Sequence, residues 1–178
     1  MIDIRAYMRE LVGTLKTVFE NRLLYVGLQG SYLRAEATEK SDIDVMVVID
    51  EMKPNDLKEY KKVLKEIGNY DKSCGFICGS KELLNWNPQE ICHLLNTTAD
   101  YYGTLEDFVP KYNRRDIADY IKLSTGNLYY MLCHRYVYDD IEKNKMKLPL
   151  IYKDIFYILQ TVYYLENGEF IQTKSKME

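Results

Sequence analysis

The chain has 178 residues, 47% of them hydrophobic, and its 24 basic and 27 acidic side chains leave a net charge of −3. This composition is that of a globular protein and excludes disordered and collagen-like chains. The balance of charge offers no general basic surface to hold a polyanion, so nucleic acid is not an expected partner.

The N-terminal segment predicts an amphipathic helix rather than a targeting signal. Leu11, Leu15 and Phe19 recur at helical spacing among charged residues, which predicts a helix over 4–19. Nothing in this segment resembles a signal peptide, and no stretch approaches the ~20 apolar residues that span a bilayer. We therefore expect a cytoplasmic protein without a membrane segment, in which the 4 cysteines are free thiols.

Two apolar segments then predict the first strands of a sheet. Residues 23–28 form a short apolar run that leads into the corner Gly30-Ser31. Residues 42–49 begin with two carboxylates separated by one apolar residue and then become wholly apolar. Runs of this length and character are typical of buried strands.

The elements that follow complete a small domain. A helix over 56–67 closes at Gly68, residues 74–78 predict a third strand, and short helical segments follow up to residue 95. The order helix, strand, strand, helix, strand is typical of an α/β (α+β) domain, in which helices flank a small mixed sheet.

The remaining sequence predicts a helical hairpin. Apolar residues recur at helical spacing through 114–136, and Pro149 begins a second apolar run that closes at Gly168. We expect two helices joined by a lysine-rich loop, and so two domains, over 1–110 and 111–178. The apolar surface of such a hairpin calls for either a homodimer or further helices after the last residue, and the sequence leaves both open.

Asp42 and Asp44, at the start of the second strand, carry the chemistry. Alternate residues of a strand face the same side, so the two carboxylates project together. Two ionised carboxylates this close repel each other unless a cation lies between them, and magnesium takes oxygen ligands while keeping positions for a substrate phosphate. Gly30 allows the backbone to approach a ligand closely, and the Ser31 hydroxyl suits phosphate oxygens. The pattern predicts a metal-bound polyphosphate.

The residues "GS", "LRAEA" and "SDID" before an apolar strand resemble the signature of the nucleotidyltransferase superfamily related to DNA polymerase β. The chain is most similar to aminoglycoside nucleotidyltransferases and to the minimal nucleotidyltransferase domains of toxin–antitoxin pairs. The resemblance is sharp over residues 30–49 and extends over residues 1 to about 105. It implies the nucleotidyltransferase fold, followed by a C-terminal helical region of the kind found in antibiotic-modifying members.

The resemblance also implies roles for single residues. It assigns metal binding and catalysis to Asp42 and Asp44. It assigns nucleotide binding to four residues of the preceding loop and its ends: Gly30, Ser31, Arg34 and Ser41. The implied cofactor is Mg²⁺, with two ions bound. The implied substrate is a nucleoside triphosphate, and ATP is the one we expect.

One departure from the family pattern concerns the third strand. Family members usually carry a third carboxylate there, which completes metal binding or removes a proton from the attacking hydroxyl. In this sequence Cys74 or Gly75 stands at that position. Asp71 and Asp100 are the acids that could substitute for it, although neither lies on the expected strand.

The expected function is a magnesium-dependent transfer of a nucleoside monophosphate from the triphosphate to a hydroxyl of a small-molecule acceptor. We expect this nucleoside monophosphate to be AMP. An aminoglycoside-like antibiotic fits this description. Two alternatives remain: an antitoxin-like protein adenylyltransferase, and a non-catalytic nucleotide-binding module that lacks the third carboxylate.

Overall fold

A computed structural model describes residues 2–176. The chain divides into two compact units, one made of residues up to 87 with 94–110, and one made of 88–93 with the residues from 111 onward. The secondary structure alternates helices and strands in the first unit and is helical in the second. In chain order the elements are α1 Ile4–Phe19, β1 Leu23–Leu28, α2 Gly30–Leu33, β2 Ile43–Ile49, α3 Pro54–Glu66, β3 Ser73–Gly79, α4 Ser80–Leu84, α5 Pro88–Asn96, β4 Ala99–Tyr102, α6 Arg114–Tyr138 and α7 Ile141–Asn167.

The four strands form one mixed sheet in the order β3-β2-β1-β4. Strand β1 runs antiparallel to both β2 and β4, whereas β2 and β3 are parallel. This sheet and its flanking helices confirm the expected α+β class. Strand β4 was not predicted from the sequence, because this four-residue edge strand depends on the pairing of Ala99 and Tyr102 with Leu28 and Val26 of β1.

One face of the sheet is covered by α1 and α3. The strand residues that face these helices are almost wholly buried. They are residues 23, 26 and 28 of β1 and residues 43, 45, 47 and 49 of β2. Helix α1 is capped by Asp3, whose side chain accepts hydrogen bonds from the backbone N–H groups of Arg5 and Ala6 at 3.1 Å. The opposite face of β2 begins with the half-buried Asp44 and continues with Met46 and Val48, which are fully buried.

Arg22 joins the end of β2 to the start of α3. Its guanidinium donates to Asp50 at 2.9 Å, to both carboxylate oxygens of Asp56 at 2.9 Å, and to the Glu51 carbonyl at 2.7 Å. The hydrogen bonds from Arg22 lower the pKa of Asp56, whose side chain is 8% exposed. This bidentate pair closes the sheet at the end opposite to Asp44.

The second unit is built on an antiparallel helical hairpin. The Arg114 guanidinium, at the start of α6, donates to the Leu165 carbonyl near the end of α7 at 2.6 Å. Tyr112 and Tyr164 bring their hydroxyls within 3.4 Å at the same end. No helix in the part of the chain between residues 2 and 176 is long and apolar enough to cross a membrane.

The predicted lysine-rich loop between the two helices is wrong. Helix α7 begins at Ile141, so its first turns contain the lysines, and Pro149 lies inside the helix. Asp140 caps this helix by accepting from the Lys143 N–H at 2.8 Å, and Glu142 forms an ion pair with Lys145 at 2.9 Å. The cap and the ion pair support the helical turns ahead of the proline, whose ring removes one backbone hydrogen bond and crowds the carbonyl four residues earlier.

Candidate functional site

Gly30 and Asp44 lie in direct contact at the end of the sheet. The Gln29 backbone N–H donates to the Asp44 carbonyl at 2.8 Å, which aligns the corner after β1 with β2. Gly30 has a positive φ of 71°, and a Cβ on it would collide with Asp44 Oδ2 and lie 2.8 Å from Asp44 Cγ. Only glycine allows the backbone to pass this close to the carboxylate.

Asp42 and Asp44 both project from the face of β2 that lies opposite to α1 and α3. Ile43 between them is fully buried in the core beneath α1 and α3, so its two neighbours face away from that core. Asp44 is half-buried, and Asp42, one residue before the strand begins, is exposed. Both carboxylates act electrostatically on the thiol of Cys74, which places all three side chains at one end of the sheet.

Cys74 is the residue of β3 that stands beside Asp44. The two are register partners on adjacent parallel strands, so their side chains are neighbours on one face of the sheet. Desolvation raises the pKa of the Cys74 thiol, and the neighbouring carboxylates of Asp44 and Asp42 raise it further. The thiol therefore stays protonated near neutral pH and does not act as a base.

The two other acids that could substitute for a third carboxylate lie elsewhere. Asp71 belongs to the single 3-10 turn Tyr70–Lys72 ahead of β3, where it is exposed. Asp100 pairs with Gly27 on the far side of β1, and its carboxylate accepts a hydrogen bond from the buried Tyr25 hydroxyl at 2.6 Å. Burial and this bond raise the pKa of Tyr25, so the tyrosine remains the donor.

The remaining predicted nucleotide-binding residues lie in the segment between β1 and β2. Ser31 follows Gly30 in the short helix α2 and is half-buried. The Arg34 guanidinium forms an ion pair with Glu36 at 2.9 Å. The Ser41 hydroxyl accepts from the Thr38 backbone N–H at 2.8 Å. Ser41 therefore closes a turn ahead of Asp42, and the nucleotide-binding roles of these residues remain predictions.

The residues at this site suit a magnesium ion that shares its ligands with a phosphate. Among residues 2–176 no group of three or more His, Cys, Asp or Glu side chains is placed to hold a metal ion by itself. The site thus provides the oxygens of Asp42 and Asp44, and Gly30 brings its backbone into contact with the Asp44 carboxylate. Magnesium commonly binds through one or two carboxylates and completes its coordination with water and substrate phosphates, so this donor set fits.

Gln29 is a residue of the site that the sequence analysis did not identify. Its side-chain amide donates to the Thr98 hydroxyl at 2.8 Å, while its backbone N–H holds the Asp44 carbonyl. These bonds orient the corner that contains Gly30. The sequence contains no signal for this role, because Thr98 approaches Gln29 only through the pairing of β4 with β1.

Known proteins resemble this chain in sequence and in fold. MJ0141 of Methanocaldococcus jannaschii, a candidate protein adenylyltransferase, is 33% identical over 69 residues, which are 39% of this chain and 68% of that protein. Spectinomycin adenyltransferase AAD(9) from Enterococcus faecialis, solved with ATP and spectinomycin, has a TM-score of 0.56 at 17% identity and matches 94% of this chain and 78% of that chain. A chain of the complex between the tri-AMPylated HEPN toxin of Shewanella oneidensis and the MNT antitoxin has a TM-score of 0.38 at 15% identity, over 78% of this chain and 98% of that chain.

The family model for the nucleotidyltransferase domain matches residues 8–124, which include the whole sheet and both aspartates of β2. The fold of AAD(9) agrees with this match over nearly the full chain. The chain belongs to the nucleotidyltransferase domain family, and it is an enzyme of the nucleotidyltransferase class.

Proposed function

We propose that this protein transfers AMP from magnesium-bound ATP to a hydroxyl of a small-molecule acceptor. The observation that carries the proposal is the contact between the Asp44 carboxylate and the Gly30 corner, with Asp42 projecting from the same side of β2. This arrangement provides two carboxylates for a cation and an open backbone for the phosphates that the cation would share.

Each residue of the site has a distinct task in this reaction. Gly30 lets the triphosphate approach the backbone, and the Ser31 hydroxyl donates to a phosphate oxygen. Asp42 and Asp44 hold magnesium, which when bound neutralises phosphate charge and stabilises the attacking and leaving oxygens. The acceptor oxygen forms a bond to the α-phosphorus while the bond from that phosphorus to the bridging oxygen breaks, so that pyrophosphate leaves and the hydroxyl proton passes to water.

This reaction must also remove the proton of the attacking hydroxyl. The Cys74 thiol next to Asp44 is protonated and cannot accept it. Positioning of the acceptor and neutralisation of charge provide most of the rate in such transfers, whereas a general base adds about 10²- to 10⁴-fold. We infer that the enzyme relies on positioning and works without a carboxylate base on β3.

A protein acceptor is the second candidate, and the sequence relationship to MJ0141 favours it. That relative is a candidate protein adenylyltransferase, and its 33% identity is higher than the 17% shared with AAD(9). In this case the same carboxylates would bind the same ATP, and the attacking group would be a tyrosine, serine or threonine hydroxyl of the partner.

ATP labelled at the α-phosphate distinguishes the two acceptors. The purified chain is incubated with labelled ATP and magnesium, in one arm with hydroxylated small molecules that include spectinomycin, and in the other with proteins of a cell lysate. We expect label on a small molecule, and label on a protein band would replace the first proposal by the second. The Asp42→Asn plus Asp44→Asn variant is the control. Equal labelling by this variant, or no pyrophosphate in either arm, contradicts both acceptors.

A further inference from the structure

Helix α6 exposes large apolar side chains on a side that the described chain does not cover. Tyr129, Leu132 and Tyr136 recur at spacings of three and four residues, so they form one stripe, and they are 71%, 37% and 87% exposed. Ile117 is the buried residue of α6 within the described part of the chain. A helix that is apolar on several sides is normally buried on several sides.

Helix α7 carries a second stripe next to the first. Leu148, Tyr152 and Leu159 follow the same helical spacing and are 43%, 67% and 49% exposed. Leu148 lines a groove of ≈ 630 Å³ together with Tyr129 and Tyr136 of α6. We refer to the six residues of the two stripes as the hairpin face: Tyr129, Leu132, Tyr136, Leu148, Tyr152 and Leu159.

We propose that the hairpin face binds the hairpin face of a second copy of this chain, so that the two hairpins form a four-helix bundle. The exposed parts of its three tyrosines and three leucines amount to about 800 Å², which is roughly what one partner contributes to a stable interface. An antiparallel hairpin with an exposed apolar face can form half of such a bundle, and a twofold axis pairs the same surface with itself.

The charges around the hairpin face favour a second copy over a strongly charged partner. Lys122 on α6 pairs with Asp119 at 3.1 Å, and Lys145 on α7 pairs with Glu142 at 2.9 Å, so these lysines are neutralised within their own helices. These ion pairs reduce the repulsion between two copies of the same surface.

Two matched double variants test the proposal. The groove variant, Tyr129→Asp plus Leu148→Asp, places two charges in the groove. The control variant, Tyr130→Asp plus Leu150→Asp, introduces the same charges at nearby positions that do not line the groove. Tyr130 and Leu150 are 70% and 57% exposed, close to the 71% and 43% of their counterparts. Sedimentation of the purified full chain at micromolar concentration measures the oligomeric state, and circular dichroism checks that each variant is helical.

We expect a wild-type dimer, a groove variant whose dissociation constant is at least 100-fold higher, and a control variant that remains dimeric. A wild-type chain that is monomeric at 100 μM overturns the proposal, as does equal dissociation of both double variants. If the groove variant unfolds, hydrogen exchange of the wild type decides. Protection of residues 129–136 must then increase with protein concentration, and protection that does not depend on concentration overturns the proposal.

Discussion

Cys74 stands beside Asp44, because the two residues are register partners on adjacent parallel strands. This register puts a neutral thiol at the position where the family pattern leads us to expect a third carboxylate. It follows that the site holds two negative charges rather than three, and that its residues next to Asp44 offer no base.

Cys74→Asp should therefore raise the activity. The new carboxylate would stand beside Asp44 and Asp42, where it could bind metal or accept the proton of the attacking hydroxyl, and a general base adds about 10²- to 10⁴-fold. We expect an increase of at least about tenfold in kcat for AMP transfer, measured as pyrophosphate release. Cys74→Ser is the control, since it keeps a neutral hydrogen-bond donor. An increase in the serine variant that equals that of the aspartate variant contradicts this explanation.

Asp42→Asn and Asp44→Asn should each remove magnesium-dependent ATP binding while leaving the fold intact. A metal clamp contributes several kcal/mol, and every ~1.4 kcal/mol is tenfold in affinity, so we expect ATP affinity to fall at least about 100-fold by calorimetry. Thermal stability should stay the same or rise slightly, because two like charges no longer repel. Asp71→Asn, at an exposed turn, is the control and should bind ATP as the wild type does.

Gly30→Ala should impair both the fold and the site. Its Cβ would collide with the Asp44 carboxylate, and the positive φ of 71° disfavours any side chain. We expect a loss of about 1–3 kcal/mol in the free energy of unfolding and weaker ATP binding. Gly13→Ala is the matched control, because Gly13 lies exposed within α1 and a methyl group added there would meet no neighbouring atom within 4 Å. That variant should be more stable by about 0.5–1 kcal/mol.

Asp56→Asn should reveal how much the Arg22 cluster stabilises the sheet. Hydrogen bonds to a buried charged group contribute about 2 kcal/mol, which we expect the variant to lose at pH 7. Because Arg22 lowers the pKa of Asp56 in the folded state, this stability is present above the unfolded pKa of ~3.9 and is lost as pH falls through the lower folded value. The difference between wild type and variant in denaturant unfolding should therefore begin to shrink below about pH 4 and disappear below the folded pKa of Asp56.

Asp119→Asn serves as the comparison for that experiment. Asp119 pairs with Lys122 and Arg115, which are 75% and 89% exposed on the same helix. Exposed pairs of this kind contribute less than about 1 kcal/mol. A loss at Asp119 that matches the loss at Asp56 would show that burial of the Arg22 cluster is not the cause.

The sequence alone determined most of the local structure of this protein. Helix α1 and strand β1 have the predicted bounds, and β2 and β3 differ from prediction by one residue at their ends. These elements are recognisable because their apolar periodicity is a property of neighbouring residues. The family was recognisable for the same reason, since Gly30-Ser31 and the two aspartates lie within one short segment.

Tertiary structure decided what depends on residues far apart in the chain. The sequence left Cys74 and Gly75 as alternatives beside the aspartates, and only the register of β3 on β2 selected Cys74. Strand β4 and the role of Gln29 likewise depend on pairing across about seventy residues. Such contacts are formed by the folded backbone, so no local pattern encodes them.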